Sequence, residues 1–458
     1  MATREMERRL PRSRAVGWMG RHWVSIVLAL VAVVYGGAVT MLHEDTVSPI
    51  DEVVYLDYAF KVWDQGIVHE GEQFGEDVAH VVACENVIPH GDLGQVCGSE
   101  DVNMESMPNQ GYTTGSGYTP AYFWSVRLIG DPIHALTGLS EVTSWRLSGL
   151  VWLVGTLLVL VPLLRRAGVS SSVTLTLGAL FIASPYSWWT YTYLSTDASV
   201  VLFGAAVLFV SMEVVRGRRS AWWLLPLAAL APLFKITNLL VFGLMLVYFG
   251  ITAIAQRFDR SVDSFGPQRF RISVRVWIPV ALSVAVAGLV QVVWMRIVPA
   301  LAVSDVVVDQ GVTTPLTGAG LIRLVLRGIS GPITHNPFGG FSSQELSTQV
   351  FVPLSWLMIA MVIGALMVMR WDLERGPVIW ATGIASLTAL PALGIAMWTL
   401  SGIYFELPGR YGAGLIPAML LVGGFMLRNR FANIMVLVYA VLLMVFGIAL
   451  ALHVGAAY

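Results

Sequence analysis

Stretches of about 20 mostly apolar residues recur along the whole chain, and each is long enough to cross the hydrocarbon core of a bilayer as a helix. With only 12% charged residues, the chain falls well below the roughly 25% that is usual in soluble domains. The pattern predicts an all-α polytopic membrane protein. We place about eleven spans, near 23–42, 145–164, 171–189, 198–214, 221–234, 236–255, 276–298, 350–369, 377–400, 413–427 and 431–453.

The basic residues predict an orientation. Twenty of the 28 Lys and Arg residues lie in six clusters, at 1–22, 165–166, 216–219, 257–275, 370–375 and 428–430. With eleven spans, all six clusters fall on the side of the N-terminus. Because cytoplasmic loops are enriched in Lys and Arg, this indicates a cytoplasmic N-terminus and an outer C-terminus in a plasma membrane. The other eight basic residues lie on the outer side, where anion binding is one reason to keep them.

We divide the chain into a basic N-terminus, 1–22, and a single transmembrane domain, 23–458, with long outer segments at 43–143 and 299–349. The first outer segment should carry juxtamembrane helices. It holds both cysteines of the chain, Cys84 and Cys97. On an oxidising side these two residues are expected to form a disulfide, and two unpaired thiols are the alternative.

Two adjacent carboxylates, Asp51 and Glu52, follow the first span in the sequence SPIDE at 48–52. Ser48 and Pro49 predict a helix start there, with the helix ending near Gln65. In the structural interpretation Asp51 caps this helix and Glu52 favours its N-terminus. In the functional interpretation the pair acts where a membrane-embedded substrate presents its head group.

Further candidates lie at predicted outer ends of spans, and each has a structural alternative. Asp197 either supports catalysis or caps its span, and Lys235 either contacts an anion or extends to the interface. Arg410 offers a planar donor fork for phosphate. Arg323 and Arg327 lie four residues apart on an expected amphipathic surface helix, where anionic lipid could also attract them. Tyr55, Tyr118 and Tyr122 could contact a sugar, or serve as interfacial anchors.

Five short motifs in order carry a family resemblance. They are SPIDE at 48–52, YTPAYF at 118–123, STD at 195–197, KIT at 235–237 and GRY at 409–411. In this order the chain resembles the GT-C membrane glycosyltransferases, and more narrowly a bacterial branch largely without assigned function. That branch often has PPDE where this chain has SPIDE. The first outer segment here is also unusually acidic.

The resemblance implies a sugar donor linked to polyprenyl phosphate, and an envelope glycan or lipid as acceptor. Asp51 is then the expected general base, with Glu52 orienting it or binding an acceptor hydroxyl and Asp197 as a further acidic support. Lys235, Arg410, Arg323 and Arg327 are the expected donor-phosphate contacts. Tyr55, Tyr118 and Tyr122 would contact the acceptor. A divalent cation at Asp51 and Glu52 is an open alternative. No nucleic-acid partner is expected.

Other functions fit parts of the pattern. A transporter or flippase of lipid-linked glycans would be expected to show repeat symmetry and polar sites near the bilayer midplane. This chain instead concentrates its polar markers on one side. A glycan polymerase would share the donor chemistry and the topology. A non-catalytic partner in an envelope-assembly complex would have less need of the carboxylate and basic markers. The sugar and the acceptor are not readable from the sequence.

Overall fold

The computed structural model of the protein describes residues 14–49, 51–258, 272–306, 313–334, 344–369, 371–402 and 404–457. Within these ranges the regular structure is helical, and extended pairing is limited to isolated bridges. The all-α prediction is therefore confirmed. The α-helices are α1 (Arg14–Leu42), α2 (Glu52–Lys61), α3 (Glu76–Glu85), α4 (Ala121–Thr137), α5 (Glu141–Arg166), α6 (Ser171–Ile182), α7 (Pro185–Thr192), α8 (Val200–Val215), α9 (Leu224–Phe234), α10 (Leu239–Phe258), α11 (Val274–Ala300), α12 (Gly318–Thr334), α13 (Gln344–Val368), α14 (Gly376–Ser401), α15 (Ile416–Met426) and α16 (Arg430–Ala457).

Eight apolar helical stretches in the described part of the chain are long enough to cross a membrane, which identifies a multi-pass membrane protein. Each coincides with one of the predicted spans. They are His22–Leu42, Glu141–Arg166, Thr196–Val215, Ile236–Phe258, Val274–Ala300, Gln349–Val368, Gly376–Leu400 and Arg430–Val454.

The other three predicted spans are shorter helices. The span at 171–189 divides at Ser184, whose side chain accepts a hydrogen bond from the Ser187 N–H and so starts the separate helix α7. At 221–234, α9 has only 11 residues, about 16 Å at 1.5 Å per residue. At 413–427, α15 follows the glycine-rich 3₁₀ segment Gly409–Leu415. The prediction of eleven full-length spans is therefore not confirmed.

Helix α5 separates two chemically different ends of the bundle. It has 26 residues, which corresponds to about 39 Å. Near its start, the side chain of Arg146 reaches the segment that follows α1, contacting Glu52. At its other end, Arg166 lies 2.6 Å from Glu213 near the end of α8. We call the end near Arg146 the acidic-segment end, and the end near Arg166 the basic end.

The segment between α1 and α5 is folded rather than open, and it carries the expected extra helices α2 to α4. Helix α2 is shorter than predicted: it begins at Glu52 and ends at Lys61. Lys61 forms ion pairs with Asp57, at 3.0 Å, and with Glu72, at 2.9 Å. The segment at 299–349, predicted to be the second outer segment, contains α12, and its residues 307–312 and 335–343 lie outside the described residues. So do residues 1–13 of the basic N-terminus.

Cys84 and Cys97 form a disulfide, as predicted. It ties the end of α3 to the irregular chain that follows. Replacing both cysteines by serine should destabilise this segment by about 3 kcal/mol, because the cross-link limits the unfolded chain across a loop of this size. Thermal unfolding in detergent and hydrogen exchange of α3 would measure the loss. Free thiols at both positions in natively oxidised protein would contradict the assignment.

Candidate functional site

Asp51 has a left-handed backbone conformation, with φ 60° and ψ −7°, directly before α2. Its side chain makes no capping hydrogen bond to that helix. Instead Oδ2 accepts a hydrogen bond of 2.8 Å from Nη2 of Arg410. The Tyr55 hydroxyl lies 3.4 Å from the same oxygen. The structure therefore does not support the interpretation of Asp51 as a helix cap, since its carboxylate is turned toward a cation 359 residues away in sequence.

Asp197 faces the same arginine from the 3₁₀ segment Thr196–Ser199. Its Oδ2 is 3.2 Å from Nε of Arg410, and its Oδ1 is 3.4 Å from Nζ of Lys235. Asp197 is fully buried. Both carboxylate oxygens make these ion-pair contacts without meeting hydrogen-bond geometry. Asp197 therefore holds two buried cations next to each other, which favours the supporting role over a cap.

Lys235 is 5% exposed, so its amine does not extend to an interface. The residue has an extended backbone between α9 and the short 3₁₀ turn Ile236–Asn238. Its Nζ donates a 2.6 Å hydrogen bond to Oγ1 of Thr196. The same atom lies 5.0 Å from the centre of the Tyr118 ring. Lys235 is thus fixed by contacts within the site.

Hydroxyl groups connect the lysine to Asp51. Thr196 Oγ1 lies 3.3 Å from the Tyr55 hydroxyl, which is also 3.3 Å from the Tyr118 hydroxyl. Tyr122 accepts a 3.0 Å hydrogen bond from the backbone N–H of Ser195. Tyr55 and Tyr122 are buried, whereas Tyr118 keeps part of its surface exposed. Burial counts against acceptor contact by Tyr55 and Tyr122, and leaves Tyr118 as the accessible tyrosine.

The two acidic and two basic side chains differ sharply in accessibility. The Asp51 side chain is 38% exposed, whereas that of Arg410 is 6% exposed. Those of Lys235 and Asp197 are 4% and 0% exposed. Asp51 is consequently the member of this cluster whose carboxylate an incoming molecule could reach. We call Asp51, Asp197, Lys235 and Arg410 the charged cluster.

Glu52 points away from the charged cluster. Its Oε1 accepts hydrogen bonds from Nε of Arg146, at 2.9 Å, and from the Leu194 N–H, at 2.8 Å. Its Oε2 accepts from the Ser48 N–H at 2.7 Å. Both Glu52 and Arg146 are 0% exposed. Glu52 therefore has no free surface for an acceptor hydroxyl, and it can act on Asp51 only by holding the backbone in place.

Arg146 is one of the eight basic residues that the sequence places on the predicted outer side, and no role was predicted for it. Besides Glu52, its guanidinium donates to the backbone carbonyl oxygens of Glu44, at 2.8 Å, and Thr46, at 2.9 Å. It therefore joins α5 to the connection between α1 and α2. No local motif marks this role, because its partners lie about 100 residues earlier.

The geometry does not favour a divalent ion between Asp51 and Glu52. The two adjacent carboxylates diverge, one toward Arg410 and the other toward Arg146. The oxygens of Glu52 already accept from backbone N–H groups and a guanidinium. Among the residues that the structure describes, no group of three His, Cys, Asp or Glu side chains could hold a metal ion.

Arg323 and Arg327 lie apart from the charged cluster on α12. Arg323 Nε is 3.2 Å from Oε1 of Glu406, and Arg327 Nη2 is 2.7 Å from the same oxygen. Arg327 also donates to the Leu407 carbonyl at 3.2 Å. The side chains of Arg323 and Arg327 are 54% and 41% exposed. Both contact the short segment that precedes Arg410 in sequence. Their expected contact with a donor phosphate stays a prediction.

Glu85 gives this end of the molecule a pH dependence. Burial raises the pKa of its carboxyl from 4.5 to about 7, although the nearby Arg146 works in the opposite direction. Between these two pH values the folded protein keeps a proton that the unfolded chain releases. The associated stability is present below pH 4.5 and is lost as pH rises through about 7.

Glu85→Gln should therefore be more stable than the wild type at pH 8, by up to about 3 kcal/mol, since one pKa unit corresponds to 1.36 kcal/mol. At pH 5 the two proteins should differ little. Thermal unfolding at both pH values measures this effect. The exposed Glu100 supplies a matched control, Glu100→Gln. Equal effects of the two substitutions at pH 8 would contradict the assignment to Glu85.

In chemical terms, the charged cluster offers one reachable carboxylate beside a buried guanidinium and a buried amine. Such a site can accept a proton and stabilise negative charge within the same few ångströms.

No protein-family model matches the chain, and no curated protein matches it either.

Proposed function

We propose that the protein is a membrane glycosyltransferase that moves a sugar from a polyprenyl-phosphate donor to an envelope glycan or glycolipid. The observation that carries this proposal is the contact between the partly exposed Asp51 and the buried Arg410, which Asp197 and Lys235 complete. The reaction needs a base and an electropositive group side by side, and this cluster provides both. The resemblance to GT-C enzymes rests on motifs that include all four residues.

In this mechanism Asp51 removes the proton of the acceptor hydroxyl as the hydroxyl oxygen bonds to the anomeric carbon. The bond between that carbon and the phosphate oxygen breaks, and polyprenyl phosphate leaves with the electron pair. Arg410 and Lys235 stabilise the charge that grows on the phosphate. Asp197 keeps these cations together in a buried setting, where they would otherwise repel each other. Glu52 positions the backbone of Asp51.

We further propose that the chain crosses the membrane eleven times, with the charged cluster outside. Three of the crossings use short helices, namely α6 with α7, α9, and α15. Segments α6 to α7 lead from near Arg166 to Asp197, α9 leads to Lys235, and α15 starts after Arg410. Short helices leave space at one end of a bundle, and here each of them meets the charged cluster at that end.

Cysteine labelling tests this topology. In a bacterial plasma membrane, single cysteines at Arg165 and at Asp64 should react with impermeant reagent from opposite sides. A cysteine in the first residues should behave like the one at Arg165, and one near Tyr458 like the one at Asp64. An impermeant reagent that reaches positions 165 and 64 from the same side would contradict the arrangement.

The main rivals are a flippase or transporter of lipid-linked glycans, and a glycan polymerase. A transporter site is usually near the bilayer midplane, between broken helices. The charged cluster instead lies at the ends of helical stretches, because Asp197 and Lys235 adjoin the starts of Thr196–Val215 and Ile236–Phe258. This favours surface chemistry. It does not separate transfer of one sugar from polymerisation, which the product length would reveal.

The decisive experiment uses purified full-length protein in nanodiscs with a panel of labelled polyprenyl-phosphate sugars and an envelope lipid extract. Transfer of label to a glycan or lipid, with release of polyprenyl phosphate, is the expected result. A parallel assay in proteoliposomes follows the movement of intact lipid-linked glycan across the bilayer. Movement without transfer would overturn the proposed enzyme activity in favour of a flippase.

A further inference from the structure

A second cluster of positive charge surrounds a cavity at the basic end, on the other side of the bundle from Asp51. The cavity has a volume of about 470 Å³, and Arg375, Arg428 and Arg430 contribute to its wall. The lining contains no aspartate or glutamate. None of these three arginines forms an ion pair with an acidic side chain in the described part of the chain. Three arginines therefore border one recess whose wall carries no carboxylate. One of them, Arg428, also donates a 3.2 Å hydrogen bond from Nε to the Phe425 carbonyl.

Helix starts add to this positive potential. Ser170 and Ser172 are at the beginning of α6, Arg375 precedes α14, and Arg430 opens α16; all four line the cavity. The N-terminus of a helix carries a partial positive charge and directs N–H groups outward. Side-chain oxygens already accept from N–H groups at these starts: Ser170 from Val173, Asn429 from Phe431, and Asp372 from Arg375. The attraction of the recess for an anion therefore depends mainly on the three arginines.

Asn433 supplies an independent sign of a ligand. It is 7% exposed and lines the cavity, and its Nδ2 donates a 2.8 Å hydrogen bond to Oγ of Ser172. Its Oδ1 is buried with no hydrogen-bond partner. A buried carbonyl oxygen without a donor is unfavourable by about 1–3 kcal/mol. A ligand that brings a hydroxyl group as well as a phosphate would satisfy this oxygen and the arginines together.

Apart from Asn429, the rest of the lining is apolar or glycine. Val169, Val173, Phe425 and Leu427 belong to the same cavity, and the Arg375 guanidinium lies 5.3 Å from the Phe425 ring centre. A free anion gains little from such surface, whereas the glycerol and first acyl carbons of a lipid would cover it. The absence of a lining carboxylate gives no partner for the ammonium group of a zwitterionic lipid.

From these contacts we propose that the cavity binds the head group of an anionic phospholipid whose phosphodiester carries a hydroxylated substituent, such as glycerol. The phosphate would lie among Arg375, Arg428 and Arg430, and the hydroxyl would donate to Asn433. This site is independent of the proposed glycosyl transfer, since it lies at the opposite end of the bundle.

The test uses full-length protein in phosphatidylcholine nanodiscs with a small fraction of phosphatidylglycerol, and native mass spectrometry of the retained lipid. One phosphatidylglycerol should be retained per protein. Arg428→Ala/Arg430→Ala should weaken this retention at least 10-fold. The control Arg218→Ala/Arg257→Ala removes two exposed arginines outside this cavity and should change retention less than twofold. Equal losses in both double variants would overturn the proposal in favour of diffuse charge attraction.

Two further arms separate the possible sources of phosphate. Asn433→Leu should reduce the preference for phosphatidylglycerol over phosphatidic acid several-fold, because only the former has the additional hydroxyl groups. Soluble glycerol phosphate and inorganic phosphate, added to phosphatidylcholine nanodiscs, should bind far more weakly than the lipid. If either soluble anion bound as tightly as phosphatidylglycerol, the lipid assignment would be wrong. Failure of all these probes to bind would refute the site itself.

Discussion

Asp51→Asn should reduce glycosyl-transfer turnover by about 100-fold or more, while folding and donor binding remain near normal. A general base contributes typically 10²–10⁴-fold, and the amide lacks the basicity of the carboxylate. Asparagine also tolerates the left-handed conformation, with φ 60°, that Asp51 adopts. The substitution therefore removes the chemistry without a steric reason to disturb the fold. Donor binding, turnover and thermal stability should be measured on the same preparation.

Two comparisons make this result interpretable. Asp64→Asn changes an exposed aspartate just after α2 and should leave turnover unchanged. Arg410→Ala should weaken donor binding as well as turnover, by about 1.5–3 kcal/mol, the usual range for a hydrogen bond to a charged group. Because Arg410 also pairs with the negative charge of the buried Asp197, the thermal stability of the Arg410→Ala variant must be measured too. Near-normal turnover by Asp51→Asn would exclude Asp51 as the base.

Arg146→Met should have the largest effect on stability, a loss of about 3–5 kcal/mol. Methionine fills much of the volume of the arginine, but Glu52 would remain a buried carboxylate without its cation. The carbonyl oxygens of Glu44 and Thr46 would lose their donors as well. Thermal or denaturant unfolding in detergent would measure the loss. Turnover per folded molecule should fall less than in Asp51→Asn.

The double variant Glu52→Gln/Arg146→Met provides the internal control. It removes both charges of the fully buried pair, and the single amide oxygen of glutamine can still accept from the N–H group of either Ser48 or Leu194. Glu85, 3.4 Å from Arg146, loses its ion-pair partner in both variants. We expect the double variant to recover a substantial part of the stability that Arg146→Met loses. If the double variant were no more stable than Arg146→Met alone, the unpaired charge of Glu52 would not explain the loss in Arg146→Met.

The sequence by itself determined the class of the protein and the approximate positions of its eight long apolar helices, and it favoured a disulfide between its two cysteines. Apolar runs and clusters of arginine are local features, and a helix in a membrane depends mainly on its own residues. Local breaks were harder to predict. The interruption at Ser184 and the 3₁₀ segment before α15 shortened predicted spans, because hydropathy averages over such turns.

Only the tertiary structure decided which partners the two adjacent carboxylates contact. In the sequence Asp51 and Glu52 are adjacent carboxylates, and both were expected to act in catalysis, Asp51 as the base and Glu52 in orienting it or binding an acceptor hydroxyl. The left-handed backbone at Asp51 sends one carboxylate to Arg410, 359 residues away, and the other to Arg146, 94 residues away. One remains reachable and the other is sealed in the core. Partners so distant in sequence leave no local pattern, because burial and the choice of ion-pair partner are properties of the folded surroundings and not of the residue.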